Sequence, residues 1–286
     1  MKIMILGAVG NLGSQLQAVL ADDHEVLAFD RADFDALDQQ ALFANLDAIR
    51  PDIVVNCVAF NAVDRAEDRA GYQEALALNR DLPAQLATFA LKFDFLLVHF
   101  STDYVFSGLE TKQEFSEEDT PNPINKYGES KFLGEVEISR LAPRGLQYYI
   151  IRTSKLFGPP SSNPEAKPSF FDIMLKLAQD KKELTVVSEE LSCFTYTPDL
   201  AAASARLMIA RPAFGIYHLV NEEPATWHDG ASVLFALAKK EVVIRPIRSE
   251  NLARPARRPK FSVLKNNKVK RLRSYQEALK DYLRSR

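Results

Sequence analysis

Tyr127-Gly128-Glu129-Ser130-Lys131 sets a phenol and an ammonium four positions apart. On a helix that spacing puts both on one face. A free tyrosine ionises near pH ~10, and a neighbouring cation lowers that value. Such a pair suits proton delivery to an oxygen that becomes an alkoxide as hydride reaches its carbon, with Tyr127 as acid and Lys131 as support. A second group is Ser101-Thr102-Asp103-Tyr104, directly after an apolar run at 95–100. A hydroxyl at the end of such a run can hydrogen-bond a carbonyl, and Thr102 is the better candidate. Taken singly, each pattern has an ordinary explanation. A Tyr and a Lys at this spacing arise often by chance, and Ser-Thr pairs commonly cap turns.

A third pattern gives the first two a purpose. Gly7-Ala8-Val9-Gly10-Asn11-Leu12-Gly13 follows an apolar run at 3–6 and opens an amphipathic stretch. One glycine permits the tight turn, the next lets backbone approach a pyrophosphate, and the third lets helix pack on strand. The helix start supplies amide donors to the phosphates. Gly7, Gly10, Asn11, Leu12 and Gly13 are therefore cofactor candidates, for NADP(H) or NAD(H). Asp30 ends the second apolar run, where an acid commonly takes the adenosine ribose hydroxyls. Arg31 beside it suits a 2′-phosphate instead, so the pair leaves both cofactors open. Asp35 completes the candidates on this side, and Lys131 can also hold the nicotinamide ribose.

The elements that position these residues alternate. Strand-like runs at 3–6, 26–29, 53–55, 95–100 and 148–151 are separated by helix-like stretches at 12–20, 40–49, 72–91 and 127–141. Strands rich in Val, Ile and Leu that alternate with helices indicate a parallel sheet covered on both faces. Right-handed crossovers make it a doubly wound α/β Rossmann sheet. Beyond position 157 the pattern changes. Residues 158–168 read as a Pro- and Ser-rich loop, 170–178 as a helix, and 184–187 and 215–220 as strands. Thr226 with Asp229 reads as the N-cap of a helix over 227–238. The expected division is a cofactor domain at 1–157, to which 194–221 returns, and a smaller mixed α+β substrate lobe from 158–193 and 222–286.

Composition bounds the remaining possibilities. The chain has 286 residues, 47% hydrophobic and 26% charged, with a formal net charge of −2. That balance gives no case for a nucleic-acid or membrane partner, and no apolar run reaches the length of a span. The two cysteines, Cys57 and Cys193, are far apart. Cys57 lies in an apolar run and reads as a buried small side chain rather than half of a disulfide. Nothing at the start reads as a secretory signal, so a reducing cytoplasm is the expected setting. From Lys239 to Arg286 there are sixteen Lys or Arg against four acids, mostly a solvated face with a few residues available to a diphosphate.

The sequence resembles the dTDP-4-dehydrorhamnose reductases, within the extended short-chain dehydrogenases, over nearly its whole length. The glycine loop carries part of the resemblance. So do Asn56-Cys57-Val58-Ala59-Phe60-Asn61-Ala62-Val63-Asp64, Asn79, Ser101-Thr102-Asp103-Tyr104-Val105-Phe106, the Tyr127–Lys131 motif, Arg152-Thr153-Ser154, Tyr217-His218 and Arg258-Pro259-Lys260-Phe261-Ser262-Val263-Leu264. The resemblance implies reduction of the 4-keto group of a nucleotide-linked 6-deoxyhexose. Thr102, Tyr127 and Lys131 would form the triad. Ala59, Phe60 and Asn79 would line the cofactor, and Tyr104 and Arg258 would face the substrate. A homodimer is compatible with it.

The departures lie on the substrate side. Lys155 stands where the family usually has a Trp that packs on the sugar. Ser192-Cys193-Phe194-Thr195 replaces a Gly-x-Pro-Thr run, and Ser107 replaces an acid. Lys155 is accordingly a substrate-binding candidate that would favour negative charge or extra hydroxyls near the ring. Some family members bind magnesium through acids. Gln15 stands where one such Glu would be, so no metal is expected. Two rival readings remain. One is epimerisation or dehydration, although dehydration needs additional carboxylates near the Tyr and the sequence shows no clear pair. The other is an NADP-binding regulatory subunit without turnover.

Overall fold

The protein was analysed as a computed structural model that describes residues 1–108, 114–161 and 166–286. Strand β1 (Lys2–Leu6) leads into helix α1 (Asn11–Leu20), followed by β2 (Glu25–Phe29), α2 (Gln39–Ile49), β3 (Ile53–Asn56), α3 (Arg69–Leu76), α4 (Leu82–Phe93), β4 (Leu96–Thr102), α5 (Lys126–Ser139) and β5 (Tyr148–Thr153). The chain continues through β6 (Leu156–Phe157), α6 (Phe170–Asp180), β7 (Glu183–Val187), β8 (Thr195–Tyr196), α7 (Thr197–Ala210), β9 (Gly215–His218), α8 (Trp227–Leu237), β10 (Val243–Ile247) and α9 (Tyr275–Arg284).

The central sheet is parallel, in the order β2-β1-β3-β4-β5-β9. Its inner strands are apolar on both sides because both faces are covered. One face packs under α1 and α7 through Ile3, Ile5, Leu16, Leu200 and Met208. The other packs under α2, α4 and α5 through Met4, Leu42, Leu86, Leu97 and Ile138. From β1 the chain steps outward to β2, then returns to place β3 on the opposite side of β1. Connections diverge at that switch point, which opens a crevice at the carboxyl ends of the strands. Strand β4 runs beyond position 100 to Thr102, paired with Thr153 on β5. The Thr102 hydroxyl is therefore at the carboxyl end of a sheet strand, not in a loose turn.

The helix expected over 72–91 is interrupted. Between α3 and α4 lies a π-helical turn, Ala77–Asp81, a feature common at functional sites. It holds Asn79, which is fully buried. Asn79 Oδ1 accepts from Phe60 N at 3.0 Å, and Nδ2 donates to Phe60 O at 3.0 Å and Ser130 Oγ at 2.9 Å. One amide thus ties the loop after β3 to α5.

The second lobe is built on β7, paired with β10, under α6, α8 and α9. Its core contains Phe157, Phe171, Phe194, Leu234 and Tyr282. Ser169 with Asp172 and Thr226 with Asp229 form capping boxes that start α6 and α8, satisfying amides that the first helical turn leaves without partners. Both cysteines are free, Cys57 half-buried and Cys193 buried. Among the described residues no helix is long and apolar enough to cross a membrane. Of the 158–168 loop, residues 162–165 lie outside the described residues.

Helix α5 is fixed to the sheet by a buried ion pair. Arg152 Nη2 and Nε donate to Glu135 Oε2 and Oε1 at 2.6 and 2.9 Å, with the side chains only 1% and 2% exposed. The Arg152 guanidinium also lies 5.1 Å from the Phe106 ring centroid. Removing one partner leaves a buried charge uncompensated, which costs about 3–5 kcal/mol. Glu135→Leu should therefore lower the urea midpoint by that equivalent. A midpoint within error of the parent would show that the pair does not hold α5.

Candidate active site

A cavity of about 880 Å3 opens at the carboxyl edge of the sheet, between the two lobes. The glycine loop forms one end. Gly7 has a φ of +76°, in the left-handed region that favours glycine. A Cβ on Gly13 would lie 2.2 Å from Gly7 O, so packing alone requires that glycine. Gly10 differs. Its φ is −70°, and a Cβ there would come no nearer than 3.3 Å to the rest of the fold. A side chain at position 10 would be tight against one carbonyl oxygen, a far milder conflict than at Gly13, whereas close approach of a ligand would exclude it. Gly10 is also the N-cap of α1 and has no side chain to accept from the first amides, which leaves them for an anion. Asn11 Nδ2 donates to Lys167 O at 3.0 Å, tying the loop to the segment before α6. The Leu12 side chain is in the core beneath.

Asp30, Arg31 and Asp35 line the same end. Asp30 Oδ2 accepts from Val9 N at 3.3 Å and Oδ1 from Arg31 N at 2.6 Å, while Asp35 Oδ1 accepts from Leu37 N at 3.0 Å. Asp30 and Arg31 form no ion pair with each other, and the exposed Arg31 guanidinium has no partner among the described residues. Ala59 lines the cavity. Phe60 and Asn79 do not. Phe60 is buried behind the wall with the Arg65 guanidinium 5.5 Å from its ring, and Asn79 braces its backbone.

At the centre stand Thr102, Tyr104, Tyr127 and Lys131, brought together by β4 and α5. Asn125 caps α5 by accepting from Gly128 N at 2.7 Å. Gly128 lets the helix touch the β4 turn, since a Cβ would lie 2.1 Å from Tyr104 O. The Tyr127 phenol shares the cavity wall with the Thr102 hydroxyl, and its ring meets Tyr104 edge-on at 5.9 Å. Burial pushes the Tyr127 pKa up to about 12, with the neighbouring Thr102 hydroxyl pulling the other way. Lys131 shares this wall. Its Nζ donates to Phe100 O at 2.6 Å and lies 3.5 Å from His99 Nε2, and burial lowers its pKa to about 8. The end of β4, not Tyr127, is its nearest acceptor. Ser101 Oγ and Thr153 Oγ1, also on the wall, are buried without partners among the described residues. Unmet hydroxyls, free helix-start amides and a glycine that packing constrains only mildly all fit a dinucleotide.

The far wall carries Lys155, with a φ of +39°. Its Nζ donates to Glu190 O at 2.9 Å and Ala225 O at 3.0 Å and sits 4.3 Å from the Trp227 ring centroid. Burial lowers its pKa to about 8. Phe194, read from the sequence as bordering this pocket, is instead a core residue stacked on Phe171. Arg258 is not on the cavity wall. Its guanidinium grips Asp64 at 2.6 and 2.7 Å. Trp227 was missed. It lines the cavity, and its Nε1 donates to Glu190 Oε2 at 2.8 Å. The Thr226 cap located the start of its helix, but nothing in the sequence said that the indole reaches the site.

The family described as the RmlD substrate binding domain matches residues 1–286. The chain belongs to this family. The spore coat polysaccharide biosynthesis protein SpsK of Bacillus subtilis is 36% identical over 290 residues, covering 100% of this chain and 98% of that protein. A dTDP-4-dehydrorhamnose reductase structure from Clostridium acetobutylicum superposes with a TM-score of 0.90 at 33% identity, covering 99% of each chain. One from Bacillus anthracis, solved in complex with NADP, also has a TM-score of 0.90, at 29% identity and 100% and 99% coverage. The RmlD relatives thus share the whole architecture, both lobes included.

Two outcomes test the cofactor end. Gly10→Val should weaken NADPH binding at least about tenfold, ~1.4 kcal/mol, with circular dichroism and melting temperature unchanged; equal affinity in a folded variant would exclude the loop. Arg31→Ala should lower kcat/KM for NADPH about tenfold or more and spare NADH, because the guanidinium would pair only with a 2′-phosphate. Equal losses with both cofactors would remove Arg31 from that role.

Proposed function

We propose that this protein reduces the 4-keto group of a nucleotide-linked 6-deoxyhexose with NADPH or NADH, in the manner of the dTDP-4-dehydrorhamnose reductases. The observation that carries the reading is one cavity lined by the glycine loop together with Thr102, Tyr127 and Lys131. A whole-length relationship to reductases of that substrate class supports it. The cofactor domain is residues 1–157 with 194–221 returning, and the lobe of 158–193 and 222–286 takes the nucleotide sugar.

Gly7, Gly10, Asn11, Leu12, Gly13, Asp30, Arg31, Asp35 and Ala59 would hold the dinucleotide, with Lys131 at its ribose. A reduced nicotinamide supplies the hydride that the reaction requires. Tyr127 gives its phenolic proton to the oxygen of the former ketone, which leaves an alcohol. A phenol with a pKa near 12 is a weak acid in the ground state. It becomes effective as the oxygen approaches alkoxide basicity, which makes its contribution specific to the transition state. Lys131, on the cavity wall at the end of β4, would donate to a ribose hydroxyl. Phe60 and Asn79 act one layer back by fixing the loop that carries Ala59. Tyr104 and Lys155 border the sugar, with Trp227 beside them. Arg258 reaches the substrate only by sharing or leaving Asp64.

The decisive assay is steady-state oxidation of NADPH or NADH with dTDP-4-dehydrorhamnose. Sustained turnover is expected. Tight cofactor binding without turnover would favour the regulatory reading instead. Tyr127→Phe should lower kcat at least about 100-fold while NADPH affinity stays within a factor of about two. A variant with near-parental kcat would remove Tyr127 from the chemistry.

A further inference from the structure

Lys131 Nζ lies against two polar atoms of β4. It donates to Phe100 O at 2.6 Å, and His99 Nε2 is 3.5 Å away. His99 is fully buried, and the chemistry proposed for Tyr127 and Lys131 does not use it. Its other ring nitrogen, Nδ1, is 3.1 Å from Asn56 Nδ2. Asn56 and His99 are register partners across β3 and β4. The Asn56 amide cannot be turned the other way, because its Oδ1 accepts from Val58 N at 3.1 Å. An amide nitrogen only donates. His99 Nδ1 must therefore accept, and a neutral imidazole with its lone pair at Nδ1 carries its proton on Nε2. Burial and the Lys131 charge hold the His99 pKa well below the usual imidazole range, so the ring is neutral. The Nε2–H thus faces the Lys131 nitrogen.

We propose that His99 is a positioning residue for Lys131: Asn56 fixes its tautomer, and the resulting Nε2–H favours the amine form of Lys131 over the ammonium in the free protein. The donor count supports this. An amine has two hydrogens and one lone pair. One hydrogen goes to Phe100 O, the lone pair can take His99 Nε2–H, and one hydrogen is left for the cavity. An ammonium has three hydrogens and no lone pair, so the imidazole N–H would meet a cation with nothing to accept it. The proposal rests on the reading of Lys131 as the residue that meets the cofactor ribose. A dinucleotide brings phosphate charge and hydroxyl acceptors, which favour the ammonium. NADPH binding should therefore take up a proton on Lys131.

The titratable and charged groups around Lys131 are Cys57 after β3, His99 on β4, Tyr127 and Glu135 on α5, and Arg152 on β5 behind Glu135. Burial pushes the Cys57 thiol up to about 12, so it is neutral. Glu135 favours the ammonium, but its carboxylate is gripped by Arg152. Burial lowers the Lys131 pKa to about 8, so the two forms exchange within reach of neutral pH.

The first measurement needs no variant. In the full chain labelled with 15N-histidine, the His99 ring, assigned by backbone-to-ring correlations, should carry its proton on Nε2 between about pH 6 and 9. A proton on Nδ1 would overturn the proposal. The second measurement follows Lys131 through its 13Cε resonance. His99→Gln replaces the imidazole with an amide whose oxygen can turn to Lys131 and accept. The Lys131 midpoint should then rise by about one pH unit, a tenfold change in the ammonium-to-amine ratio. A midpoint that stays or falls would overturn the proposal equally. NADPH affinity reads the consequence. In the parent it should fall above pH ~8 by up to about tenfold per pH unit, as the amine must first be protonated. In His99→Gln the fall should begin about one unit higher. Affinity independent of pH in both proteins, with both resonances behaving as expected, would count against Lys131 as the cofactor contact and leave the His99–Lys131 contact standing.

Discussion

Helix α5 touches its neighbours at backbone distance, and the site depends on that approach. At Gly128 it lies against the carbonyl of Tyr104, and at Gly134 against that of Asn79; a Cβ at either would sit about 2 Å from an oxygen. These two glycines cost helix propensity, on the order of 1 kcal/mol each, and only a contact of greater worth offsets that. The contact obtained is the placement of Tyr127 and Lys131. Gly128 brings the first turn of α5 onto the turn that ends β4, where Thr102 stands. Gly134 brings the second contact onto the π-helical turn, where Asn79 bonds Ser130 on α5 itself. Next to Gly134, Glu135 is gripped by Arg152 of β5. Tyr127 and Lys131 are thus fixed from three sides by interactions that do not include a ligand.

The buried polar groups around the cavity follow one logic. Each functional side chain is oriented by a partner one layer back, and that partner is held in turn. Asp103 is held by Ser262, Lys131 by the Phe100 carbonyl, and Trp227 by Glu190, which also accepts from Ser249 and Arg254. Buried polar groups with their bonds made give rigidity, whereas those left unmet are costly. Two hydroxyls on residues of the cavity wall, Ser101 Oγ and Thr153 Oγ1, have no partner among the described residues, as do others away from it, such as Thr197 Oγ1 and Ser204 Oγ.

The substrate wall shows how one departure from the family is absorbed. A lysine at 155 places a cation where an aromatic ring is usual, yet its ammonium is satisfied by two carbonyls and lies over Trp227 and Phe194. A cation so held keeps one N–H for the cavity and lends charge to an aromatic wall. This is compatible with a sugar that offers an oxygen acceptor in addition to an apolar face.

Local pattern in the sequence determined the alternation of strands and helices, the doubly wound sheet, the glycine loop and the Tyr–Lys pair. Each is encoded within a few consecutive residues, by hydrophobic period or by a motif whose spacing has a steric meaning. The start of α8 was legible for the same reason, through Thr226 and Asp229. Tertiary structure alone decided the π-helical turn at Ala77–Asp81, because a continuous helical period hides one widened turn. It alone placed Asn79, Phe60 and Arg258 outside the cavity wall, put Phe194 in the core, turned Lys131 to Phe100, and brought Trp227 and Asp103 into the site. These outcomes depend on contacts between residues far apart in the chain, Asp103 with Ser262 and Arg258 with Asp64. Sequence order carries the chemistry of such residues. Which partner each one meets is set by packing, since a side chain's hydrogen bonds are chosen only when the lobes close around it.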